Sequence, residues 1–142
     1  MTGHVATART EIQASPERVW EAMTDPAQVA EYMMGSQVES DYEPGSPITW
    51  SGQWEGKAYQ DKGEVLQADP GRLLEVTHYS PLTGAEDVPE NYHTVRYELS
   101  SSDGVTIVAL TQDGCTDATQ AEQFSQSWQG MLDGLKQVAE SA

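Results

Sequence analysis

"TDATQAEQFSQSWQGMLDGLKQVAESA", residues 116–142, decides the architecture, because its apolar period differs from that of everything before it. Phe124, Trp128, Met131, Leu132, Leu135 and Val138 recur at spacings of three and four. That period predicts one apolar stripe on a single helix of about 23 residues. Asp117 followed by Gln120 predicts a capping box at its start. Gly130 and Gly134 spell GxxxG, but they fall on the polar face. There they are expected to weaken the helix by about 1 kcal/mol each relative to Ala.

Working back from this helix, residues 35–112 are strand-like and broken by turn signals at "EPGS", "ADPG", "SPLTG" and "SSSDG". The segments between them are "SQVES", "SPITWSGQW", "KAYQDKGEVLQA", "RLLEVTHY", "NYHTVRYELS" and "VTIVALTQ". Consecutive strands with short connections predict an antiparallel meander, since parallel pairs need long crossovers. Upstream, "HVATARTEIQ" reads as a first strand, bringing the total to about seven. Next, "SPERVWEAMTDP" carries a helix start: Ser15 can cap, Pro16 suits the first helical position, and Val19, Trp20 and Met23 face inward. Asp25-Pro26 ends that helix and opens a second short one, with Val29, Tyr32 and Met33 as its apolar side.

The fold class is therefore α+β, in the order β-αα-βββββ(β)-α. A long amphipathic helix must bury its stripe, and the concave face of the curled sheet is the large apolar surface available. Helix and sheet curve differently, so space is expected beneath the helix. In "GSPITWSGQWEGKAY", residues 45–59, Trp50 and Trp54 lie on one strand face with Gly52 between them and would line that space, Gly52 keeping it open.

At 142 residues the chain reads as one domain, residues 1–142. With 23 acidic and seven basic side chains its formal net charge is −16, which repels phosphate backbones, and its basic residues form no cluster. Nucleic-acid binding and anionic membrane surfaces are accordingly excluded as partners, and the charge reads as solubility. The start carries no signal-peptide pattern, and no apolar run approaches the roughly 20 residues that span a bilayer. A cytoplasmic protein, monomer or homodimer, without stable membrane insertion, is expected. The lone Cys115 cannot form an internal disulfide.

The chain resembles the START-like superfamily, which has the helix-grip fold. Within it the resemblance is to the branch named for the activator of the heat-shock chaperone's ATPase. The residues that carry it are "IQASPERVWEAMTDPAQVAEYM", "GSPITWSGQWEGKAYQDKGEVLQADPGRLLEVTHYSPL", "NYHTVRYEL" with "VALTQDG", and "SWQGMLDGLKQVAE". The resemblance implies a hydrophobic cavity between sheet and C-terminal helix, used elsewhere in the superfamily for lipids, sterols, hormones and polyketides. Some relatives cyclise or hydrolyse their ligands and many only bind them; the family has no single catalytic motif. Chaperone activation in the eponymous eukaryotic proteins needs a further N-terminal domain, which is not expected here.

On "NYHTVRYEL", His93, Val95, Tyr97 and Leu99 share one face; on "RLLEVTHY", Leu74, Val76 and His78 do. If these strands pair, the two histidines, with Tyr79 or Tyr97, meet in the cavity. A neutral imidazole there can act as general acid or base, or orient a ligand carbonyl. Otherwise each is a hydrogen-bonded wall residue. Tyr59 and Asp61 share a face, and Asp61 is a candidate acid or a partner of Lys62 or Arg96. No His or Cys spacing suits a metal. GxGxxG, GxxxxGK(S/T) and GxSxG are absent, and no cofactor is expected.

The ligand-binding set expected from these faces is Trp50, Trp54, His78, His93, Tyr97, Phe124, Trp128 and Leu132, around a small hydrophobic or aromatic ligand. The alternatives are a cyclase- or hydrolase-type enzyme using His78 or His93, and a chaperone-cofactor-like interaction protein that docks a basic partner. Trp20, Phe124 and Trp128 also read as ordinary core.

Overall fold

The computed structural model describes residues 3–141 apart from positions 34, 55, 82, 83 and 85, and describes Trp54 by its backbone alone. Strand β1 spans His4–Ile12, and helices α1 and α2 follow at Pro16–Thr24 and Pro26–Tyr32. Strands β2 (Gln37–Ser40), β3 (Pro47–Trp54), β4 (Lys57–Asp69), β5 (Leu73–His78), β6 (His93–Ser102) and β7 (Val105–Cys115) come next, and α3 (Ala118–Glu140) closes the chain. A short 3₁₀ turn at Pro89–Asn91 leads into β6. All strand pairings are antiparallel, in the order β1-β7-β6-β5-β4-β3-β2. The meander runs from β2 to β7, and β1 returns to pair with β7. This is the helix-grip arrangement.

Local chemistry sets the helix ends as expected, with one difference. Ser15 Oγ accepts from the Arg18 N–H, and Asp117 Oδ1 accepts from the Gln120 N–H at 2.8 Å. The reciprocal half of the capping box is not made, because Gln120 Oε1 accepts instead from the N–H of Thr116, one residue further out, at 2.7 Å. The cap thus reaches into the end of β7 and couples strand to helix.

Strand β4 is bent. Residues 57–64 pair with β3, while residues 65–69 pair with β5, with a register shift between Val65 and Gln67. At the bend a Cβ on Gly63 would lie 1.8 Å from the Thr77 carbonyl oxygen, so any side chain would force the strands apart. Glycine there allows the close backbone approach of β4 and β5.

Ile12, Val19, Val29, Val65, Val108, Leu110, Leu132 and Leu135 are essentially inaccessible and form the centre of the core between sheet and helices. Each such side chain contributes about 1.5–3 kcal/mol on burial. The two strand faces left open by the sequence pattern resolve here. Val65 is buried and Leu66 exposed; on β7, Thr106, Val108, Leu110 and Gln112 turn inward.

Gly134 differs from the sequence expectation. A Cβ on it would come 2.8 Å from Tyr32 Cβ, so α2 packs directly onto the α3 backbone there. Gly130 has open space around it. The spacing is shared and the role is not, because only Gly134 meets the neighbouring helix.

Helix α3 also covers the edge of the sheet. Thr7 N–H donates to Ser125 Oγ, Arg9 N–H to Gln129 Oε1 and Gln13 N–H to Glu140 Oε2. In return Gln129 Nε2 donates to the Arg9 carbonyl and Lys136 Nζ to that of Glu11. These groups of β1 would otherwise form an open template for another strand.

Among the described residues no helix is long and apolar enough to cross a membrane.

Candidate functional site

Two adjoining spaces lie between the concave face of the sheet and α3. The inner one, about 200 Å³, is walled by Trp50, Val76, Val95, Tyr97 and Met131, with Asp61 and His78 as its polar side. The outer one, about 580 Å³, takes His78, His93, Gln112, Phe124 and Trp128 among its lining. His78, Trp128 and Met131 border both, so the two spaces adjoin, the smaller mostly apolar and the larger more polar.

Sheet register brings the polar residues together. Trp50 on β3 sits opposite Asp61 on β4, and His78 on β5 sits opposite His93 on β6. His78 Nε2 lies 2.9 Å from Asp61 Oδ2, and the Trp50 ring stands edge-on to the imidazole with centroids 5.2 Å apart. His93 Nδ1 lies 3.1 Å from the Asp113 carbonyl oxygen, and its ring is tilted 59° to that of Phe124. The indole N–H of Trp128 donates to Gln112 Oε1 at 2.5 Å. Gln112 is 3% exposed, so its side chain needed a partner on the helix. Asp61 Oδ1 is the one sealed side-chain oxygen without a hydrogen bond among the described residues. Leaving such an atom unpaired costs about 1–3 kcal/mol.

Of the residues expected from sequence, Trp50, His78, Tyr97 and Trp128 line the inner space, and His78, His93, Phe124 and Trp128 the outer one. The side chain of Trp54 lies outside the described residues. Leu132 lines neither space; it is wholly buried in the core, one position along the helix from Met131, which does line both. Tyr79 is on the opposite face from His78, stacked on Tyr92 at 5.2 Å. Asp61 pairs with His78 rather than with Lys62 or Arg96: Lys62 meets Asp87, and Arg96 meets Glu75 and Glu98.

Gly52 does not hold space open. A Cβ there would come 2.8 Å from the Tyr59 hydroxyl, whose ring lies across the glycine from the neighbouring strand and whose oxygen is 2.6 Å from Ser36 Oγ. The gap beside Trp50 is filled by a tyrosine of this chain.

Gln112 and Met131 were not singled out by sequence reasoning. Gln112 lies on a strand with apolar residues on both faces, so its direction had no signal. Met131 belongs to the helical stripe and is indistinguishable in period from the core residues beside it.

Burial raises the phenols behind the inner space. Tyr97 is held well above the ordinary tyrosine value by burial first and by Tyr42 second, and Tyr42 is pushed up to about 12 by burial. These groups stay neutral, and among the described residues the other ionisable side chains of the inner wall are His78 and Asp61.

A curved seven-stranded sheet closed by one long helix over a cavity defines a START-like helix-grip protein. The chain belongs to the family described as activator of Hsp90 ATPase homolog 1-like proteins, which matches residues 13–140. The solution structure of ChR145 from Cytophaga hutchinsonii is 42% identical and superimposes with a TM-score of 0.85 over 96% of this chain and 94% of that one. The Aha1 dimer from Colwellia psychrerythraea is 20% identical, with a TM-score of 0.73 over 97% of each chain. CalU16 from Micromonospora echinospora is 19% identical, with a TM-score of 0.69 over 99% of this chain and 88% of that one. The last two likenesses are of fold alone. No curated protein matches the chain.

Proposed function

We propose that this protein binds a small, largely apolar or aromatic molecule in the cavity between the sheet and α3. The observation that carries this reading is the pair of adjoining spaces bordered by His78, Trp128 and Met131, the smaller mostly apolar and the larger carrying a few fixed polar groups. Ligand sites are typically concave, of about 300–1,000 Å³, and built this way. The chain as one domain, cytoplasmic, and a monomer or homodimer, belongs to the same proposal.

The test compares mass spectra of the natively purified protein under non-denaturing and denaturing conditions, together with titration by a neutral naphthalene. Binding is expected for the native chain and its loss for Met131→Trp, which fills the junction of the two spaces while the helix keeps its fold. An empty protein that also fails to take up the naphthalene refutes the reading.

A second reading has one observation in its favour: the Asp61 carboxylate orients His78 as carboxylates orient catalytic imidazoles. It predicts that His78→Gln keeps ligand affinity and abolishes turnover. Unchanged turnover of a bound ligand excludes His78 as acid or base.

A further inference from the structure

The hydrogen bonds of the two histidines determine which ring nitrogens face a ligand. A carbonyl oxygen only accepts, so His93 Nδ1 carries the proton in its contact with Asp113, leaving Nε2 with a lone pair. A carboxylate likewise accepts, so neutral His78 carries its proton on Nε2 against Asp61, leaving Nδ1 with a lone pair. Neither of these nitrogens has a protein partner among the described residues. Neither is sealed, since Asp61 Oδ1 alone is both buried and unpaired. Both rings line the outer cavity, and they face each other across the β5–β6 ladder, where opposed Cβ atoms lie about 4.5–5.5 Å apart.

Two neighbouring acceptors therefore open onto a space with Phe124 and Trp128 as aromatic walls. Among the described residues no Lys or Arg lines either space, whereas Glu90 stands at the outer one. The net charge of −16 acts in the same sense. An anionic head group would enter without a counter-charge, which burial penalises heavily.

Resting on the cavity reading above, we propose that the outer space recognises a neutral aromatic molecule with two hydroxyl groups, one donating to His78 Nδ1 and the other to His93 Nε2, and that it rejects carboxylates. Asp61 and the Asp113 carbonyl act as positioning groups that keep both imidazoles in the accepting tautomer.

The experiment is calorimetric titration of the full chain with 1,3-dihydroxynaphthalene, 1,3-dimethoxynaphthalene and 1-naphthoate at neutral pH. The dihydroxy compound is expected to bind about tenfold more tightly than its dimethyl ether, the size of effect two net hydrogen bonds supply. Naphthoate is expected to bind more weakly than either. In His78→Phe and His93→Phe, which keep an aromatic wall and remove one acceptor each, the preference for the diol over the ether should fall in steps.

Equal binding of diol and ether by the native chain overturns this proposal and leaves the cavity reading standing. So does a preference that survives in both Phe variants. Binding of naphthoate as tight as that of the diol overturns the rejection of anions. Failure of all three compounds to bind a protein that purifies empty removes the cavity reading, and this proposal with it. The comparison within the native chain decides the question even where a variant fails to fold.

Discussion

Gly130 and Gly134 allow one substitution to be made twice on one helix with opposite expected signs. In Gly130→Ala the new methyl meets nothing within 4 Å, so the change is the helix propensity gain alone, about 1 kcal/mol of stabilisation. Gly134→Ala makes the same gain, but its Cβ would sit 2.8 Å from Tyr32 Cβ and 3.6 Å from Tyr32 Cα. These atoms belong to the root of the side chain and cannot swing aside. The far end is tied as well, because the Tyr32 hydroxyl donates to the Ala22 carbonyl at 2.8 Å. Helix α2 must therefore move as a body. Overpacking of this kind costs about 1–3 kcal/mol, so the net effect is up to about 2 kcal/mol of destabilisation. The two variants should thus differ by about 1–3 kcal/mol, the whole of the overpacking cost. Urea denaturation followed by circular dichroism measures both, and thermal melts should separate them by several degrees, at about 3–5 °C per kcal/mol for a chain of this size. Equal stabilisation by the two substitutions would show that α2 does not pack against α3 at Gly134, and the reasoning would fail.

Two further outcomes are expected. Gly52→Ala should destabilise by about 1 kcal/mol despite the better strand propensity of Ala, since its methyl displaces the Tyr59 hydroxyl from Ser36; an unchanged or raised urea midpoint would show that the ring does not lie across the glycine. Alkaline titration should leave a delayed set of tyrosines: burial raises Tyr32 and Tyr97 well above the ordinary value, and Tyr42 to about 12. The folded state holds these protons more tightly than the unfolded chain, so their contribution is complete below the ordinary phenol range and is lost as pH rises through about 12. A cooperative unfolding step should accompany the late rise in tyrosinate absorbance; smooth titration of all six tyrosines with the native circular dichroism intact would refute it.

What the sequence by itself determined is the set of elements and their order. A single change of period, from strand to helix at residue 116, together with turn signals at short intervals, leaves a meander and one long gripping helix as the economical solution. The inward faces of β5 and β6 were equally legible, because alternation on a half-buried strand is a local property: Val76 and His78, and Val95 and Tyr97, fall where the pattern puts them.

Tertiary structure decided the pairings that depend on how far apart in the chain two groups lie. Asp61 meets His78 because β4 pairs alongside the end of β5, with Lys62 bridging to Tyr79, and the ladder sets the two side chains next to each other. Gln112 acquires a role only when Trp128 arrives from α3, and Met131 rather than Leu132 faces the cavity because of how the helix is rotated over the sheet. The space beside Trp50 closes because Tyr59 reaches across from the next strand. Period and propensity report which side of an element is buried. They carry no information about what stands opposite, and the cavity consists of what stands opposite.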